Sequence, residues 1–484
     1  MKTFRILATI VVLALAGNVS GQMLTNLYSF SGSDGRGPAA PLLQGSDGNF
    51  YGTTRLGGRT NLNSGLGYGT VFRISPTGSL TNLWLFTGGL DGGLVKGGLV
   101  QFATGDFYGT TAIGGNTNLN GGFGYGTIFR ISPSGTLTSL YSFSSSDGAN
   151  PIGELVQGND GSFYGTTENG GTHGWGTVFR FSLSGTLTTL WNFCSFPNGP
   201  CCCLDGSQPL AGLVQGNDGK FYGTTVDGGT NFPGVGTVFR ISPSGSFTTL
   251  WSFNERDGDS PRAGLVQGSD GSLYGTTFSG GTGPAGGNVF RINPSGSLTS
   301  LCSFGFSNGG YPSAGLVQGS DGNFYGVNAE LGAFNYGTVF SVAPSSSVTT
   351  LYTFTGANDG AHPSAALVQG SDGAFYGTTF AGGSSLACTQ GCGTVFKLIV
   401  PLSPPPFPIN QITKTQVAAT NIVFNVVSVA HETYQLQFTT NLTSGTWSNI
   451  TSACVSNSIG ATLTVTNFGG AVGPQGFCRF DITP

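Results

Sequence analysis

Between residues 21 and 400 the chain repeats one phrase seven times, and no other feature restricts its fold so severely. Its clearest copy reads Gln-Gly-Asn-Asp-Gly-Lys-Phe-Tyr-Gly-Thr-Thr from Gln215. A variable stretch follows, then Gly-Thr-Val-Phe-Arg-Ile-Ser-Pro-Ser-Gly-Ser-Phe-Thr-Thr-Leu-Trp-Ser-Phe from Gly236. The glutamine recurs at Gln44, Gln101, Gln157, Gln215, Gln267, Gln318 and Gln369, at intervals of 57, 56, 58, 52, 51 and 51 residues. A period of that size means stacked supersecondary units, each unable to bury its apolar faces alone.

Each copy holds four short segments rich in Val, Thr, Phe and Tyr, the composition a pleated surface prefers. They are Leu-Val-Gln, Phe-Tyr-Gly-Thr-Thr, Gly-Thr-Val-Phe-Arg-Ile-Ser and Leu-Thr-x-Leu-Tyr-Ser-Phe. Gly-Ser-Asp-Gly joins the first pair and Pro-Ser-Gly-Ser the second, both turn sequences with glycine for positive φ. No segment has helical periodicity. Four antiparallel strands in each of seven units predict an all-β fold, a seven-bladed β-propeller over residues 22–400. A β-solenoid is the rival, but its repeats are usually shorter and lack paired hairpins.

The segment count also predicts how the ring closes. An outer-strand segment at 24–30 precedes the first Leu-Gln segment, and the last repeat ends after 393–400 without one of its own. Residues 24–30 should therefore be the outer strand of blade seven, pairing with 393–400. In an up-and-down meander successive connections alternate faces. The two tight turns then share one face of the disc, and the two longer connections share the other. All length variation falls on the latter, from 14 residues at 55–68 to 8 at 168–175. Variable loops on a rigid scaffold are where binding usually resides.

Composition bounds the rest. Glycine is 85 of 484 residues, but at fixed repeat positions, so it marks turns rather than disorder, and 12% aromatics supply core bulk. With 8% charged residues and a net charge of −4 there is no basic stripe for nucleic acid. Residues 1–21 read as a secretory signal peptide: Lys2 and Arg5, an eleven-residue apolar run at 6–16, then small residues before Gln22. No later segment is apolar enough to cross a membrane. A secreted or cell-surface location follows, and nine cysteines fit an oxidising compartment. Cys388 and Cys392 are placed to close a small ring, Cys454 and Cys478 to staple the C-terminal region. Cys194, Cys201, Cys202 and Cys203 form a cluster with several possible pairings. Cys302 stands where other copies have Tyr or Trp and reads as a buried free thiol. Residues 401–410 carry five prolines, a semi-rigid linker. Strand patterns at 421–429, 433–440, 460–466 and 476–482 predict a small β-sandwich over 411–484.

The phrase Gln-Gly-Ser-Asp-Gly-Asn-Phe-Tyr-Gly-Thr-Thr, with Gly-Gly and Gly-Thr-Val-Phe after it, resembles the GloVer tandem-repeat family of bacterial exported proteins, over about residues 24–400. Local departures occur at Phe102-Ala-Thr-Gly105, Gly287-Asn-Val-Phe290 and Gly326-Val-Asn328. More distantly, the Asp-Gly-aromatic-x-Gly-Thr hairpin looks like those of sensor-type and streptogramin-lyase-type propellers. The resemblance implies an exported repeat protein and no established activity. The tail, with Tyr434-Gln-Leu-Gln-Phe and Pro474-Gln-Gly-Phe-Cys-Arg479, is similar to a C-terminal β-domain of exported proteins.

Most recurrent polar positions have a structural explanation. The glutamines could line the axis as a polar ring, but amides at hairpin ends normally satisfy backbone groups. Arg73, Arg130, Arg180, Arg240, Arg291 and Lys397 are expected to stack between blades or pair with loop aspartates. Asp34, Asp91, Asp147, Asp205, Asp257 and Asp359 precede glycine in the blade-to-blade connection. One carboxylate per blade is too sparse for calcium, so they read as turn formers. Asp47, Asp160, Asp218, Asp270, Asp321 and Asp372 belong to the tight hairpins.

Ligand-binding candidates are Tyr68, Tyr125, Trp175 and Tyr336, immediately before their Gly-Thr segments at the rim of the variable face. Aromatic rims can stack on ligand rings while their polar tips hydrogen-bond, and packing between loops is the plainer alternative. No nucleophile motif or metal-ligand pair appears, and no cofactor is expected. His173 and His362 should face the variable side from non-adjacent blades, and carboxylates could converge from different blades. The expectation is a non-enzymatic binding module for a glycan or surface protein. A propeller lyase or glycosidase and a purely structural envelope component are the alternatives.

Overall fold

The computed structural model describes residues 23–400, apart from 196–202, 232–233, 285 and 345–347, and the backbone of six strands between residues 414 and 483. The expected signal peptide, the linker and the sandwich packing lie outside the described residues. The chain divides after Pro401 into two units.

The first unit is seven four-stranded antiparallel sheets arranged as a propeller. Blade four is representative: Val214–Gln215, Phe221–Thr225, Thr237–Ile241 and Phe247–Ser252 run from the axis outward. Blade seven takes Val368–Gln369, Phe375–Thr379 and Thr394–Ile399 from the end of the repeats and Met23–Ser29 from their beginning. Thr25 stands opposite Lys397 and Leu24 opposite Leu398, antiparallel. The ring thus has no open edge between its first and last blades.

The repeated phrase is largely a set of instructions for joining blades. All five residues of Phe50–Thr54 are buried, because successive side chains point at opposite neighbours. At six of the seven junctions the tyrosine of one blade lies on the phenylalanine of the next, and at the seventh Tyr222 packs with Leu273. Tyr51 is 4.0 Å from Phe107, Tyr164 4.0 Å from Phe221, Tyr274 3.9 Å from Phe324 and Tyr325 4.1 Å from Phe375. Tyr376 on Phe50 at 4.0 Å completes the circle. Such pairs contribute about 0.5–1.5 kcal/mol each beyond their buried area. Gly52 is required because a Cβ there would lie 2.5 Å from the Phe72 ring.

Polar groups of the same phrase clasp the blades at both ends. Thr166 Oγ1 donates to the Ala211 carbonyl of the next blade at 2.7 Å, and Thr224 to Ala263 at 3.0 Å. At the hairpin end six of the seven glutamines accept, at Oε1, a backbone N–H from the preceding blade. Ser46 donates to Gln101, Asn217 to Gln267, Ser320 to Gln369, and Ser371 to Gln44 across the closure. The glutamines therefore satisfy hairpin backbone both between blades and within their own, where Gln215 Nε2 donates to the Gly219 carbonyl at 3.0 Å. The clasp is missing among the described bonds only where the hairpin reads Phe102-Ala-Thr-Gly105.

The hairpin aspartates complete this end. Asp160 Oδ1 accepts the Ser162 N–H at 3.1 Å, and its Oδ2 accepts the Tyr164 hydroxyl at 2.9 Å and Arg180 at 2.7 Å. Arg291–Asp270 at 2.8 Å and Lys397–Asp372 at 2.7 Å repeat the pairing. Burial pushes the Asp160 carboxyl up, but the Ser162 N–H, the Tyr164 hydroxyl and Arg180 outweigh it and hold it below the usual carboxylate range. Arg130, Arg180, Arg291 and Lys397 of the recurrent cations thus pair with hairpin aspartates, while Arg240 donates to the Pro294 carbonyl of the next blade.

Cys194 and Cys203 are joined by a disulfide, as are Cys388 and Cys392. Cys302 is free and only half-buried, because it sits on an outer strand with one open face. In the second unit Lys414–Ala418 pairs with Asn421–Asn425, and Thr433–Thr439 pairs along its whole length with Phe477–Thr483.

Candidate functional site

The face opposite the hairpins is built on one bend repeated in every blade. Gly37, Leu94, Asn150, Gln208, Ser260, Tyr311 and His362 all lie at φ between 54° and 59°. Six of these are not glycine, so the strain is held by the fold rather than relieved by sequence. What holds it is the carbonyl of the residue before each Gly-Thr segment. Leu94 N–H donates to Tyr68 at 2.8 Å, Asn150 to Tyr125 at 2.9 Å, Gln208 to Trp175 at 3.0 Å and His362 to Tyr336 at 2.9 Å.

The rim position chosen from sequence is therefore a backbone anchor in each of these blades, whatever its side chain does. The side chains divide. Tyr68 and Tyr125 are half-buried and pack on the apolar clusters between their blades and the next. Trp175 and Tyr336 stand 44% and 40% exposed. Tyr336 sits edge-on to His362, with ring centres 6.0 Å apart. His362 Nδ1 lies 3.0 Å from the Ala329 carbonyl, so that ring is engaged in positioning the bend, while His173 is exposed on its own loop.

Around these two aromatics the loops raise a crown of apolar tips. Leu66, Phe123, Phe334 and Leu386 project from the loops between second and third strands, Leu90 and Phe306 from the connections between blades. Their exposures run from 40% at Leu66 to 100% at Leu386. With Trp175 and Tyr336 they are eight of the eleven large hydrophobic side chains exposed among the described residues. The other three, Met23, Leu183 and Ile399, lie at strand ends or a hairpin on the opposite side.

Inside the crown the bends lead the chain to the axis, where a cavity of about 380 Å³ is lined by residues of all seven blades. Arg55, Lys96, Glu154, Arg262, Ser313 and Ser364 supply its polar groups, set among glycine, alanine and proline. No hairpin residue contributes, so the cavity belongs to the variable-loop side. These residues escaped the sequence reading because six copies explain one another and single departures look like noise. The usable signal was a charged residue at a position otherwise small: Glu154 stands where four other blades have Gly98, Gly212, Gly264 and Gly315.

Among the described residues no three His, Cys, Asp or Glu side chains are grouped to hold a metal ion, and no helix is long and apolar enough to cross a membrane.

The pattern of the Gloeobacter/Verrucomicrobia repeat matches residues 16–200 and 202–396. The chain belongs to that family. No curated protein matches it. Among solved structures it is similar to the extracellular domain of a candidate one-component system from B. thetaiotaomicron, at 11% identity and a TM-score of 0.48, over 84% of this chain and 45% of that one. This chain thus matches less than half of that domain's length. A candidate 6-phosphogluconolactonase from Bacteroides uniformis shows 16% identity and a TM-score of 0.42, over 82% and 95% of the two chains. The activities named for those proteins are theirs alone.

Proposed function

We propose that this repeat protein is exported and acts as a non-catalytic binding module, docking a protein partner on the crown of its variable-loop face. The observation that carries the proposal is the segregation of exposed apolar side chains to that face, eight of eleven. Concentrated exposed hydrophobics rimmed by polar residues mark interaction surfaces. The mixture favours polypeptide over glycan, since Leu66, Leu90 and Leu386 offer no flat face for a sugar ring. Two disulfides suit an extracellular setting.

The test compares two surface variants for binding to intact cells of the native bacterium and to a glycan array. One carries Leu66→Ser, Phe123→Ser, Trp175→Ser and Phe334→Ser; the other carries Leu183→Ser on the opposite face. The expected result is at least tenfold weaker, protease-sensitive cell binding for the first and unchanged binding for the second. Equal binding by both rejects the crown. Array binding lost on Trp175→Ala and Tyr125→Ala would move the assignment to a glycan.

A further inference from the structure

The axial cavity is a second site with a different chemistry, independent of the crown. The chain is sparsely charged and acidic overall, with 17 Lys and Arg against 21 Asp and Glu. Yet three cations, Arg55, Lys96 and Arg262, line the cavity with one carboxylate, Glu154. A cleft with one sign of charge and low-dielectric walls focuses its potential on a ligand of the other sign.

The polar groups there are incompletely partnered. Arg55 Nε, Ser313 Oγ and Ser364 Oγ are buried and have no hydrogen-bond partner. Buried polar groups are nearly always satisfied, and three of the seven orphans among the described residues fall on residues that line this one cavity, where a change of rotamer would present them to an occupant. The other cations are partly matched. Glu168 is the carboxylate closest in effect to Lys96, and Arg262 lies 3.6 Å above the Phe278 ring within reach of the charge of Asp227. Glu154 reaches across the axis-facing glycines of its neighbours. A Cβ on Gly98 would lie 2.8 Å from its Oε2, and one on Gly212 3.1 Å from its Cγ. Burial pushes the Glu154 carboxyl up and the Lys96 amine down.

A guanidinium with an unpartnered Nε beside an ammonium only partly matched by Glu168 favours an oxyanion, and Arg pairs with carboxylates in a fork. Two serine hydroxyls without partners and the Glu154 carboxyl ask for hydroxyl groups beside it. A dianion such as phosphate would face Glu154 at close range. The volume falls in the range of small-molecule sites. We propose that the axial cavity binds a small polyhydroxylated carboxylate, with Arg55 and Lys96 holding the carboxylate and Ser313, Ser364 and Glu154 the hydroxyls.

Isothermal titration calorimetry of the full chain with galacturonate, gluconate, galactose and inorganic phosphate tests this. The expected result is saturable binding of at least one carboxylate and none of galactose. Arg55→Gln and Lys96→Met should each weaken it roughly tenfold or more, the loss of one charge-assisted contact. Lys96→Met preserves the bulk of the side chain, so a fold defect in one variant leaves the other to report. Trp175→Ser should leave the titration unchanged, whatever becomes of crown binding. Absence of binding by both carboxylates, equal binding of galactose, tighter binding of phosphate, or indifference to both cation variants would each overturn the assignment.

Discussion

The hydroxyl of Tyr141 donates to Asp147 Oδ2 at 2.6 Å, tying the outer strand of blade two to the connection that leaves it. Asp147 Oδ1 accepts the Ser144 N–H at 2.9 Å, so one carboxylate both forms the turn and anchors it. Tyr28 with Asp34, Trp191 with Asp205, Trp251 with Asp257 and Tyr352 with Asp359 repeat the pair. Blade five breaks it on both sides at once. Cys302 has no aromatic donor, and the carboxylate is replaced by Asn308, which still accepts the Gly305 N–H at 2.6 Å. Tyr141→Phe and Asp147→Asn should each cost about 1–2 kcal/mol in chemical denaturation, as hydrogen bonds to a charged acceptor do. Combined, the two losses should be clearly less than additive, because they remove one interaction. Strict additivity would show that the turn and the anchor act separately.

The same pairs give the stability a defined alkaline limit. Burial pushes the Tyr28 hydroxyl from its ordinary 10.0 up to about 12, with the Asp34 hydrogen bond and charge adding to the effect. Tyr352, beside Asp359, is also pushed up to about 12. The folded state therefore holds the neutral phenol more tightly than the unfolded chain does. Its contribution is complete below pH 10 and is lost as pH rises toward 12. Melting temperature should fall through that window, and Tyr28→Phe with Tyr352→Phe should make the fall shallower. A double variant with an undiminished slope would remove these phenols from the explanation.

The glutamine clasp predicts a difference between identical substitutions. Gln215 accepts the Asn159 N–H at 3.0 Å and donates to the Gly219 carbonyl at 3.0 Å. Gln157 faces the altered hairpin at Phe102-Ala-Thr-Gly105 and makes neither bond among those described. Gln215→Ala should cost about 1–2 kcal/mol and Gln157→Ala about 0.5 kcal/mol or less, read as the shift in denaturation midpoint. Equal costs would mean that the amide matters for something other than joining blades.

How much was legible in the sequence follows from what repetition encodes. The four strands, their turns and the seven-blade ring are written in every copy, so each confirms the rest. The glutamine, tyrosine and first threonine of the phrase were legible as structural, but not as links between blades. Gln101 and Ser46 are 55 residues apart, and only the ring brings them together. Tyr68, Tyr125, Trp175 and Tyr336 were found because aromatics recur before the Gly-Thr segments, but the carbonyl anchor they share is also supplied by Val235, Gly286 and Cys392, so it does not account for the aromatic side chains. The axial residues were missed for the converse reason. Glu154 occurs once at its position, a cation only twice, as Lys96 and Arg262, at another, and their convergence exists only after closure.

The loop crown and the axial cavity both depend on the ring being shut by the pairing of Met23–Ser29 with Thr394–Ile399. Hydrogen–deuterium exchange of the full chain, read by mass spectrometry over peptides covering 23–29 and 394–399, tests this directly. The predicted result is comparable strong protection of both peptides, with 394–399 losing it when residues 1–30 are deleted while the strand Phe221–Thr225 in blade four stays protected in both proteins. Exchange of 23–29 at the rate of an unstructured peptide, or full protection of 394–399 in the truncated chain, would contradict it.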